Sequence, residues 1–118
     1  MYTGMEEFKD TIAILRFKIT HCEANGNHAK AFLVNNEYWY LDCCLANVEI
    51  MLHDDDFLRC HKSTLVNHSY IMTIDFNTNL ITLEKGEKLT ASYRELRKIQ
   101  AYFKGKGYEI LSGFLYKK

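Results

Sequence analysis

The chain has 118 residues, and its 15 basic and 15 acidic side chains cancel to a formal net charge of zero. That length suits one ordinary domain, and 47% hydrophobic with 14% aromatic residues supply one packed core, which excludes a disordered chain. No apolar run approaches the roughly 18 residues of a membrane-spanning helix. The polar, acidic start from Met1 to Asp10 lacks the apolar core of a signal peptide, so the expectation is a cytoplasmic protein with no membrane insertion.

In chain order, β-favouring runs at 12–15 and 19–22 lead to an Asn25-Gly26 turn signal. Runs at 31–34 and 38–41 flank Asn35-Asn36. A short helix is expected at 45–52, with Leu45, Val48, Met51 and Leu52 on one side, before the acidic run Asp54-Asp55-Asp56. Strands follow at 57–61, 70–75, 80–84 and 88–91, separated by turn signals at Asn77-Thr78-Asn79 and Lys85-Gly86. Alternation in the third of these turns Ile81 and Leu83 to the core, and Thr82 and Glu84 to water. A second helix is expected at 93–104. Ser92 and Glu95 form a capping box, each side chain satisfying a backbone N–H. Leu96, Ile99 and Phe103 form its apolar stripe, and Gly105 can close it in the left-handed conformation. The tail at 108–118 is apolar enough to pack, as strand or helix. With no proline, linker or repeat, the expectation is one domain over 1–118.

Catalytic constellations are missing from this pattern. The histidines at 21, 28, 53, 61 and 68 stand in no H-E-x-x-H, and no G-x-S-x-G or phosphate loop is present. Cys60 and His61 are neighbours, so in a strand they point to opposite faces and cannot pair as nucleophile and base. The aspartates at 54–56 read as a solvated loop. Cys22, Cys43, Cys44 and Cys60 form no C-x-x-C pair and read as free, mostly buried thiols. No enzyme, metal site or cofactor is expected.

Charge distribution is more informative than its sum. Residues 1–56 carry 10 acids and 4 bases, net −6, and residues 57–118 carry 5 acids and 11 bases, net +6. A basic half can face phosphates in a neutral chain; equally, the two halves can attract each other in the fold. Asn25, Asn27 and His28 gather at a hairpin tip, with Lys30 after it, and Lys62-Ser63 follow a strand where a loop should project. Arg94 lies in the first turn of a well-capped helix, where the macrodipole costs a cation about 0.3–1 kcal/mol. Lys98 is one turn later on the same face, opposite the apolar stripe. A docked anion explains cations kept there, as does tolerance of a small penalty. The two helices stand about forty residues of β pattern apart, which rules out a helix-turn-helix reader.

The stretch Phe57-Leu58-Arg59-Cys60-His61-Lys62-Ser63-Thr64-Leu65-Val66-Asn67 resembles the LytTR signature F-x-R-x-H-R-S-x-x-V-N. The continuation at 70–75 and 81–89, with Lys85-Gly86-Glu87, and then Ser92-Tyr93-Arg94, resembles that family's strand, hairpin and S-x-R helix opening. Upstream, residues 19–28 resemble its I-x-x-I-E-A-x-x-N-Y/H block. The resemblance covers about 12–104 and leaves 105–118 as an extension.

It implies a mostly β fold, with antiparallel sheets, a short connecting helix and a C-terminal helix. It also implies a sequence-specific transcriptional regulator whose loops enter successive major grooves. His28, Lys62 and Arg94 would read bases, with Asn27, Lys30, Ser63 and Asn79 as nearby contacts. The partners implied are double-stranded DNA with repeated elements, a second copy on that DNA, and a receiver domain or membrane protein. The alternative is a protein-interaction or sensory module of the same fold without DNA binding. Two departures stand out: lysine at 62 where the family usually has arginine, and an opening strand missing or reduced to residues 5–10. The chain is then a stand-alone regulator or a piece of a longer response regulator.

Overall fold

Short strands predominate among the described elements, and turn residues with positive φ, among them Gly26, Asn36, Asn79 and Gly86, lie between successive strands. In this computed structural model residues 2–3, 16–52 and 57–117 are described. They divide into two compact units, Met1–Arg59 with Ser63–Ser69, and Cys60–Lys62 with Tyr70–Lys118.

The first unit is built on a sheet of β1 (Tyr2–Thr3), β2 (Ile19–Asn25), β3 (His28–Leu33), β4 (Tyr38–Leu41), β5 (Phe57–His61, of which Cys60 and His61 count with the second unit) and β6 (Thr64–Asn67), in the order β1-β4-β3-β2-β6-β5. β1 runs parallel to β4, while β3 runs antiparallel to β2 and β4, and β2 antiparallel to β6. β3 alternates strictly, so Ala29, Ala31 and Leu33 face inward while His28, Lys30 and Phe32 face out. The inward residues join Ile19, Cys22, Leu41, Val48, Leu52 and Leu65 in one core, against which the helix α1 (Leu45–Met51) packs through Leu45 and Val48.

The second unit carries a four-stranded antiparallel sheet of β7 (Ile71–Asp75), β8 (Leu80–Leu83), β9 (Lys88–Thr90) and β10 (Phe114–Tyr116), in the order β10-β7-β8-β9. Ile74, Ile81, Leu83 and Leu115 are fully or almost fully buried, as are Leu96, Ile99 and Phe103 of the helix α2 (Tyr93–Gly105).

Several expectations change in detail. Residues 64–67, read as part of a motif, form a strand. The strand expected at 31 begins at His28, because Asn25 and His28 are direct partners and the turn is only Gly26-Asn27. Half of the capping box forms: Ser92 Oγ accepts from Glu95 N–H at 3.2 Å, but the Ser92 N–H donates to Cys60 O at 2.8 Å. Gly105 stays helical, and Gly107 takes the left-handed conformation at φ 90°. Gly107 N–H then donates to Lys104 O and Tyr108 N–H to Phe103 O, a Schellman closure. Its apolar contact is the edge-on packing of Tyr108 against Phe103, centroids 5.2 Å apart. The undecided tail forms β10, so α2 is not the last element. Just before this strand, Leu111 and Phe114 exchange two backbone hydrogen bonds across a tight turn. The strand expected at 12–15, the opening strand at 5–10 and the aspartates at 54–56 lie outside the described residues.

Candidate nucleic-acid interface

In the first unit the β2–β3 turn is positioned by Gly26, whose φ of 64° fits the first central place of a two-residue hairpin. Asn27 is exposed at its tip. His28 opens β3, and its Nε2 lies 3.0 Å from Asp42 Oδ1. The register explains this contact: Ala29 pairs with Leu41, so the next cross-strand pair is His28 with Asp42. Ser63 belongs to the same end of the sheet, since its carbonyl accepts from Ala24 N–H at 2.9 Å. Lys30 is held differently. Its Nζ sits 4.0 Å from the Tyr38 ring centroid, 5.1 Å from Phe32 and 5.5 Å from Tyr40, a cation–π cage on the outward sheet face. Phe32 is itself stacked on buried His21, centroids 4.4 Å apart.

In the second unit two backbone bonds gather three candidates. Ser92 N–H donates to Cys60 O, which ties the start of α2 to the segment carrying Lys62. Ala91 N–H donates to Asn79 O at 2.9 Å, which brings the turn residue Asn79 (φ 59°) to the same helix start. Arg94 is the second residue of α2 and is exposed; no side-chain partner for it is found among the described residues. Lys62 is exposed in the two-residue turn it shares with Ser63. Lys98, one turn beyond Arg94, is bonded to Glu95 at 3.3 Å. This arrangement presents donors on an outward surface, while the acid nearest to Arg94 on the helix is engaged by a lysine.

The sequence matches the model of the LytTr DNA-binding domain over residues 9–104. The chain belongs to this family. Among solved structures, this LytTR domain is similar to a LytTr DNA-binding domain described as part of a methyl-accepting/DNA response regulator of Bacillus cereus. The TM-score is 0.65 at 22% identity, over 74% of this chain and 82% of that one. The likeness shows the fold, mostly β, with two sheets and two α-helices among the described residues. No curated protein matches the chain.

The family match runs through both units of the LytTR domain and stops at the end of α2, so β10 is supplied by residues beyond it. Sequence reasoning missed Asp42, whose relation to His28 depends on cross-strand register. It also missed the cage around Lys30, which could have been suspected from Lys30, Phe32, Tyr38 and Tyr40 alternating outward on adjacent strands. No helix is long and apolar enough to cross a membrane, and no group of three metal-ligating side chains comes together among the described residues.

Proposed function

We propose that this LytTR domain is a sequence-specific transcriptional regulator that reads the major groove of double-stranded DNA. His28, Lys62 and Arg94 contact bases, and Asn27, Lys30, Ser63 and Asn79 contact bases or backbone nearby. The observation that carries this reading is the bond from Ser92 N–H to Cys60 O, because it fixes the start of the helix bearing Arg94 to the strand end bearing Lys62. Arg94 offers a planar fork that can grip guanine O6 and N7 with two bonds, whereas Lys62 is a point charge on a flexible stem. The DNA site consists of repeated elements with a second copy of the protein on the neighbouring element. A receiver domain or a membrane protein delivers the signal in the cytoplasm, and the chain 1–118 acts as one domain without enzymatic activity.

One observation favours a second reading, a protein-interaction module that has lost DNA binding: in the first unit His28 is held by Asp42 and Lys30 by three aromatic rings. A mobility-shift titration decides between them, with the protein's own upstream region against scrambled DNA. About four to six phosphate contacts give a slope of log K against log salt of roughly −4 to −5. A flat salt profile, or equal affinity for scrambled DNA, supports the interaction module instead.

A further inference from the structure

The motif that opens α2 specifies the serine at 92 and the arginine at 94 and leaves the position between them open. Here that position holds Tyr93, 63% exposed at the first residue of the helix. Its hydroxyl accepts from Arg97 Nη1 at 2.6 Å, and the Arg97 guanidinium carbon lies 5.5 Å from the ring centroid. One turn separates these two residues, so they are neighbours on the helix surface. The buried stripe of Leu96, Ile99 and Phe103 occupies another side.

We propose that Tyr93 and Arg97 act together as a clamp for a backbone phosphate beside Arg94. The proposal rests on the DNA-binding reading above. A tyrosine hydroxyl that accepts from a guanidinium still has its own proton to donate, and the charge on the donor strengthens that second bond. Arg97 uses one N–H on Tyr93, and the fork of five donors leaves others for a phosphate oxygen. Glu95, the acid nearest in sequence, is occupied by Lys98. A hydroxyl donor, a guanidinium and the adjacent Arg94 thus share one exposed helix turn, a set suited to a tetrahedral oxyanion and not to a neutral partner. The bland account is an i, i+4 pair that steadies an exposed helix by a few tenths of a kcal/mol. It predicts no effect on DNA.

The test compares Tyr93→Phe, Arg97→Ala and the double variant on matched and scrambled sites over a salt series. Tyr93→Phe keeps the ring and removes the donor. It should weaken all sequences evenly, on the order of three- to tenfold, with the thermal midpoint unchanged. Arg97→Ala should also make the slope of log K against log salt shallower by about 0.9, the loss of one phosphate. The double variant should lose less than the product of the single losses, because the two side chains act as a unit. Wild-type affinity in Tyr93→Phe, an unchanged slope in Arg97→Ala, or losses that simply multiply overturn the clamp. Arg94→Ala is run alongside. If it loses discrimination while Tyr93→Phe binds like the wild type, only the clamp fails. If the wild type does not bind DNA, both readings fail.

Discussion

Asn67 closes the signature stretch in the sequence, and the structure gives it a load that can be measured. It is 2% exposed; its Nδ2 donates to Ile19 O at 2.8 Å, and its Oδ1 accepts from Ser69 N–H at 2.9 Å. One amide therefore joins the start of β2 to the residues after β6. Asn67→Ala leaves a buried carbonyl and an amide without this partner, which should cost about 2–4 kcal/mol. Asn67→Asp is the sharper perturbation because it keeps the shape. One oxygen still accepts from Ser69, but the other meets the Ile19 carbonyl, acceptor against acceptor. Burial and that carbonyl raise the folded pKa of such an aspartate above its unfolded value of about 3.9. The native state then binds more protons than the unfolded state between those two pKa values. Stability of the variant relative to the wild type is therefore highest below the unfolded pKa and is lost as pH rises through the folded one. Each unit of upward shift contributes about 1.4 kcal/mol to that loss. Urea unfolding of the wild type and both variants at pH 7 and pH 4.5 measures it. The Asp variant should recover toward the wild type at the lower pH, and the Ala variant should not. An Asp variant as stable as the wild type at pH 7, or one whose deficit ignores pH, would refute the role assigned to the donor.

Arg94→Ala should cost about 1–3 kcal/mol of DNA affinity together with base preference, while Lys62→Ala weakens all sequences evenly. Lys62→Arg should sharpen preference at that place; competition on point-mutated sites reads all three. Arg94→Ala that keeps affinity and preference with α2 still folded shows the reading surface to be wrong. Ser92→Ala removes the bond to Glu95 N–H and should destabilise the fold by about 1 kcal/mol in urea titrations. Base preference should survive in that variant, since the backbone bond to Cys60 O is retained; its loss would give Ser92 a role beyond capping. Cys22 and Cys60 are fully buried, and burial, then Cys43 and Glu23, push the Cys22 thiol far above its ordinary range. Alkylation of the native protein should mark the more exposed Cys44 first, and peroxide should leave DNA binding intact. Reversible loss of binding in peroxide would instead reveal a redox sensor.

Local signals were the legible ones. Ile81 and Leu83 alternate inward as their spacing requires, and the Leu96, Ile99, Phe103 stripe is the buried face of α2. Ser92 caps that helix because the requirement lies within one turn of chain. Thr64–Asn67 escaped notice because all four residues are buried, so the strand lacks the alternation that identifies a half-exposed one. Two glycines could have ended α2, and the choice of Gly107 follows from Tyr108 packing on Phe103, which spacing alone does not reveal. β10 depends on β7, some forty residues earlier, and on Asn77 donating to Ser112 O at 3.0 Å. Of the candidate site, sequence found the exposed Arg94 and Lys62, but the Asp42 beside His28 and the rings around Lys30 depend on strand register.

The tight turn before β10 has a consequence for how copies of this protein can meet. An outermost strand ordinarily offers a row of unsatisfied amides and carbonyls, on which another chain can add as one more strand. Here Phe114 donates to Leu111 O at 2.9 Å and accepts from Leu111 N–H at 3.0 Å, so the first outward-facing groups of that strand are already satisfied by its own chain. Of its three residues, Tyr116 alone is left at that margin, too little for a ladder. A strand from another molecule therefore finds too few open groups to extend this sheet across β10, and side chains must mediate any association at that edge. Residues 111–116 thus supply the strand at this edge and also close most of it.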